Sequence, residues 1–211
     1  MLMTPSVRKF ALATHVTTSL GWFGAVSAFL SLAVAGVAST NAQLVRSAYV
    51  AMELVTWAVI VPFSIATLLS GVVQSLGTTW GLFRYRWIVA KLTLTVVATI
   101  ILLVHTQPIG RVAAIASQGL LSTADLHPLR MQLIADAGAT MMALLVATAL
   151  SIYKPWGLTG YGRRAELADH VGSNRTKTVD TTWTTLWVVG LIIALALFAA
   201  LHLSGGGFHH H

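Results

Sequence analysis

His15, Glu53, Lys91, His105 and Asp136 stand inside or at the edges of long apolar runs, where an ionisable side chain is costly unless it has a partner or a task. Two imidazoles, two carboxylates and one amine suit three kinds of chemistry. An imidazole such as His15 or His105 can be an axial ligand to haem b or a ligand to copper or zinc. Glu53, His105 and Asp136, with or without His202, would make a mixed carboxylate and imidazole metal site. The same groups can instead pass protons, because desolvation favours a carboxyl group that keeps its proton. Lys91 either snorkels to an interface or neutralises an anionic ligand such as a haem propionate. Trp22 and Trp57 lie inside apolar runs, where they pack in a core or flank a planar cofactor.

Those groups are carried by an all-α chain. Of the 211 residues, 56% are hydrophobic and 9% charged, which does not suit a water-facing surface. The expectation is a polytopic transmembrane bundle with five spans at 10–38, 48–76, 87–106, 131–152 and 182–203: a four-helix core plus a C-terminal fifth helix. Span 1 follows Arg8-Lys9 as a signal peptide would, yet its apolar run is about twice the length of an h-region, so it reads as a retained helix. The continuous runs lack the alternation of membrane strands.

Arg8, Lys9, Arg84, Arg86, Lys91, Lys154, Arg163, Arg164, Arg175 and Lys177 fall on one side of this arrangement, and Arg46, Arg111 and Arg130 on the other. The positive-inside rule then puts the N-terminus in the cytoplasm and the C-terminus outside. The net charge of +7 is read as a topology signal and not as a nucleic-acid footprint, since Glu166, Asp169 and Asp180 interrupt the basic cytoplasmic loop 154–181. The glycine-rich 157–162 reads as a flexible turn. Residues 204–211 are either a native Gly/His tail or a purification tag. There is no cysteine, hence no thiolate site or disulfide, and no Walker, dinucleotide, nucleophile-elbow or HExxH motif. The partners expected are the lipid bilayer of a bacterial cytoplasmic membrane and either further copies of the chain or a larger membrane complex.

Helical spacing places Glu53, Trp57, Ile60, Ser64, Thr67, Gly71 and Gln74 on one face of span 2, which must look into protein. Pro62 should free the carbonyl of Ala58 and bend that helix. His15, Thr18, Trp22 and Ala25 share a face of span 1, and Asp136, Thr140, Ala143 and Ala147 a face of span 4. Lys91 and His105 share a face of span 3 but differ in depth by roughly 21 Å. The expectation is two layers, with His15 and Lys91 near one end and Glu53, His105, Asp136 and His202 toward the other. His127 is expected in a loop over the second layer.

The string His15-Val16-Thr17-Thr18-Ser19-Leu20-Gly21-Trp22-Phe23-Gly24 resembles the first helix of small bacterial membrane proteins related to CopD-type copper-resistance proteins. Gly77-Thr78-Thr79-Trp80-Gly81, leading through Trp87 to Lys91 and His105, is similar to the Lys-bearing third helix of that group and of HemJ-type protoporphyrinogen oxidases. His105-Thr106-Gln107-Pro108-Ile109-Gly110 and Tyr161-Gly162-Arg163-Arg164 extend the likeness, which covers residues 10–160. It implies a helical bundle that handles haem b or copper, and hence a membrane redox or metal-handling protein. The layering sets His15 and His105 apart, so both binding one iron would require a large tilt. Two other readings come from the residues: a proton- or cation-coupled transporter using Glu53 and Asp136, and a structural or accessory subunit associating through Gly21, Gly24, Ala28, Ala139, Ala143 and Ala147.

Overall fold

The computed structural model describes residues 3–78, 81–118 and 126–169, all of them helical or in short connections. The fifth span at 182–203, His202 and the Gly/His tail lie outside the described residues. Among the described residues, four helices are long and apolar enough to cross a membrane. The first, α1 (Pro5–Ala38), starts at a proline whose missing N–H is harmless in a first turn. A tight connection follows, in which the Asn41 side chain caps the next helix by accepting from the N–H groups of Gln43 (3.0 Å) and Leu44 (3.2 Å).

That next helix runs from Ala42 to Leu76 in three pieces: α2 (Ala42–Val55), a π-helical turn (Thr56–Ile60) and α3 (Val61–Leu76). The cause is Pro62. It offers no N–H to the carbonyl four residues back, and its ring pushes that carbonyl away, so the chain takes up one extra residue in the turn before it. Val61 accordingly donates to the carbonyl of Thr56, five residues back. One extra residue rotates everything on the N-terminal side by about 100° relative to an unbroken helix. This corrects the stripe expected for span 2. Ile60, Ser64 and Thr67 are buried as the spacing requires, but further back the inward positions are Thr56 and Met52, both fully enclosed. Trp57 is turned outward at 54% exposure, and Glu53 is half-buried.

The third long helix, α4 (Arg86–Ser117), continues through Pro108, well beyond the end expected at 106. Apolar sequence continues on both sides of the proline, and the side chains of His105 and Thr106 bond carbonyls of the preceding turn, at Ile101 and Leu103. His127, expected in a loop, instead opens α5 (His127–Tyr153), where Pro128 fits the first turn. Lys154 ends that helix in the left-handed conformation, φ 44°.

The four long helices form an antiparallel bundle. α1 packs on the α2–α3 helix and on α5; α4 packs on the same two, diagonally across from α1. The core is filled by Trp22, Phe29, Ala33, Tyr49, Met52, Val112, Ala116 and Leu133. Small residues set the closeness of the helices. A Cβ on Gly36 would stand 2.7 Å from Tyr49 Cζ, so α1 and α2 approach here as only glycine allows. Gly36→Ala is expected to lower the stability of the detergent-solubilised protein by about 1–3 kcal/mol through overpacking. Thermal unfolding should show the loss, and Tyr49→Leu in the same chain should recover part of it by removing the atoms that are struck.

The segment 157–162, expected as a flexible turn, is held in place. Tyr85 and Leu158 form an isolated antiparallel bridge, and Thr159 N–H donates to Arg84 O at 2.9 Å. The Thr159 hydroxyl donates to Phe83 O at 2.6 Å and accepts from Gly162 N–H at 3.0 Å, which caps the short helix α6 (Gly160–Asp169).

Candidate functional site

The polar positions form two clusters, one toward each end of the bundle. The first joins α1, α3 and α4 near the amino-terminal end. His15 is buried, and Gly71 leaves room for its ring: a Cβ there would lie 3.1 Å from His15 Cε1. His15 Nδ1 lies 3.0 Å from Ser70 Oγ, and Ser70 Oγ donates its own hydrogen to Thr67 O at 3.2 Å. With that hydrogen committed, Nδ1–H must be the donor to Ser70, which leaves the Nε2 lone pair facing Lys91 Nζ at 3.4 Å. The ammonium therefore donates to the imidazole. Thr18 and Ser19 bond the His15 carbonyl at 3.1 Å and 2.7 Å and fix the turn that carries it.

The second cluster joins α2, α4 and α5. His105 Nδ1 lies 2.7 Å from the carbonyl of Ile101, which can only accept, so this nitrogen carries a hydrogen. Nε2 then presents a lone pair toward Asp136 Oδ2, 3.5 Å away. Between an unprotonated imidazole nitrogen and a bare carboxylate the contact is repulsive. It becomes attractive when one proton stands between them, either as imidazolium with carboxylate or as neutral imidazole with carboxylic acid. A proton between the two groups would turn this contact into an attractive one. The pair lines a cavity of about 40 Å³ with Thr56, Thr140, Ile60, Phe29 and Leu133. That volume holds one or two waters, for which the two hydroxyls, the imidazole and the carboxylate are polar partners. Glu53 packs on α4 further along, its Oε1 3.5 Å from the place a Cβ on Gly110 would occupy.

His15 and Lys91 thus meet and His105 and Asp136 meet, while Glu53 reaches α4 at Gly110, five residues beyond His105. His15 and His105 are not brought together, nor are Trp22 and Trp57. Trp22 is fully buried seven residues beyond His15, roughly 10 Å along α1 and between the clusters, and its indole N–H has no hydrogen-bond acceptor among the described residues. Among the described residues no three His, Asp or Glu side chains gather closely enough to hold a metal ion.

Between the clusters run buried or half-buried hydroxyls: Thr95 and Thr99 on α4, Ser64 and Thr67 on α3. Thr95, Thr99 and Ser64 each donate to a carbonyl of their own helix, at 2.9, 2.8 and 2.8 Å, and so keep lone pairs available. Sequence reasoning missed Ser70, which lies beside the expected stripe at Gly71 and has no spacing signal of its own. It also missed the stack of Arg130 over Tyr49, 5.4 Å from guanidinium carbon to ring centre, since a cation–π contact between distant segments leaves no periodic trace.

Compared with protein-family models, with curated proteins and with solved structures, the chain matches none of them. The likeness to CopD-type and HemJ-type proteins rests on the short strings quoted above alone.

Proposed function

We propose that this chain is a multi-pass protein of the bacterial cytoplasmic membrane that carries protons through its helical bundle, either alone or coupled to another solute. The observation that carries the reading is the His105–Asp136 contact: with Nδ1–H committed to Ile101 O, the 3.5 Å approach of Nε2 to the carboxylate calls for one proton between them. Glu53, half-buried beside Gly110, is the group that exchanges this proton with the nearer end of the bundle. The Lys91–His15–Ser70 chain is the exchange point toward the amino-terminal end. Thr95, Thr99, Ser64 and Thr67 are the rungs between them, and water entering past Trp22 completes the path.

The test is proton flux in proteoliposomes under a potassium diffusion potential, followed with a pH-sensitive dye. Wild-type protein is expected to dissipate an imposed pH gradient faster than protein-free liposomes. The Glu53→Gln, Asp136→Asn double variant should fall to the protein-free rate. Equal rates for the wild type and the double variant would remove the proposal.

A second reading, redox or metal handling with haem b, copper or zinc, is favoured by the same 3.5 Å approach, because two ligands of one ion can stand that close. It requires Glu53 or a further donor to join His105 and Asp136. Stoichiometric copper, zinc or iron by elemental analysis, or a Soret band after expression with a haem precursor, would favour it over proton transfer.

A further inference from the structure

We propose that the amino-terminal end of the bundle is a docking surface for anionic phospholipid headgroups, presented on a fixed platform and not on a loose loop. The platform is the pairing of the connection before α4 with the connection after α5. It uses the Tyr85–Leu158 bridge, the bond from Arg86 N–H to Gly157 O at 3.3 Å, and the bonds of Thr159 to Phe83 and Arg84. Gly162 closes it, because a Cβ there would collide with the Arg84 carbonyl. Met3 N–H donates to Gly77 O at 3.0 Å and ties the start of α1 to the same end.

The surface so formed is basic and aromatic. Arg8, Lys9, Lys154, Arg163 and Arg164 are all exposed. Among them stand Phe10, Phe83, Tyr153 and Tyr161, exposed at 74%, 57%, 79% and 70%. Aromatic rings of this kind settle at headgroup level, and Lys and Arg stems reach from that depth toward phosphate. The opposite end carries fewer basic residues among those described, Arg46, Arg111 and Arg130, and two of these also make contacts within the bundle. Arg46 donates to the last carbonyl of α4, Ser117 O (2.6 Å), and Arg130 lies over Tyr49. The charge complementarity is therefore one-sided, and the occupant it fits is a phosphodiester headgroup with net negative charge. This inference does not depend on proton transfer and stands or falls by itself.

The experiment places full-length protein in nanodiscs with equal parts phosphatidylglycerol and phosphatidylcholine, then removes lipid stepwise with detergent and counts the molecules retained by native mass spectrometry. Wild-type protein is expected to retain phosphatidylglycerol over phosphatidylcholine by about fivefold, and high salt should reduce this toward unity. The variant Lys154→Gln, Arg163→Gln, Arg164→Gln should lose most of the preference. Thr159→Val, which keeps every charge but releases the platform, should weaken it too. Equal retention of the two lipids by the wild type, or a preference unmoved by salt and by the charge variant, would overturn the proposal. If the charge variant does not fold, the salt series on the wild type decides.

Discussion

Asp136→Asn is expected to stop proton flux while leaving the protein folded. Asparagine has the shape of aspartate and can donate an N–H to His105 Nε2, so the contact with α4 survives and the cavity keeps its volume. What disappears is the group that gives the proton up and takes it back. The expected result is a flux at the level of protein-free liposomes, with a thermal midpoint within a few degrees of wild type. Asp136→Ala is expected to lose flux and stability together, because it leaves the buried His105 nitrogen without its partner, at a cost of about 1–3 kcal/mol. Comparing the two variants separates the chemistry of the carboxyl group from its packing.

Lys91→Met is expected to have the second largest effect, and in opposite directions for activity and stability. Methionine keeps most of the length and apolar surface of the lysine stem but removes the ammonium that faces His15 Nε2 at 3.4 Å. Exchange at this end of the path should slow by about tenfold or more, as for the loss of a positioned proton-transfer group. Stability should hold or rise, since a charged group in a bundle interior is costly. Stopped-flow acidification of proteoliposomes gives the rate, and unfolding in detergent gives the stability. Unchanged flux in Lys91→Met would remove this cluster from the path while leaving the His105–Asp136 pair in place.

Much of this arrangement could be read from the chain because hydrocarbon restricts it so tightly. Four long apolar runs became four long helices, and His15 with Lys91 fell at one end of the bundle while Glu53, His105 and Asp136 fell toward the other. Helix ends were less legible. Span 3 is expected to end at 106, but α4 runs on through Pro108, where apolar sequence on both sides outweighs the single lost hydrogen bond. The larger lesson is at Pro62. Spacing counted back from Ile60 at a constant 3.6 residues per turn put Trp57 inward, whereas the π-turn that the proline induces turns Trp57 out and buries Thr56 and Met52, with Glu53 half-buried against Gly110. A periodic reading loses one residue at every such turn. The hydrogen-bond partners themselves, Ser70 for His15 and Ile101 O for His105, depend on helix rotation and ring orientation, which no spacing encodes.

The central claim is that one proton is shared between His105 Nε2 and Asp136 while Nδ1–H stays on the Ile101 carbonyl. It is tested most directly by solid-state nitrogen-15 magnetic resonance of imidazole-labelled protein in bilayers, with His105 assigned by its loss in His105→Gln. The account predicts a protonated Nδ1 and an Nε2 whose shift in wild type differs from that in Asp136→Asn. A His105 whose Nδ1 is bare, or whose Nε2 is indifferent to the loss of the Asp136 carboxylate, would contradict it.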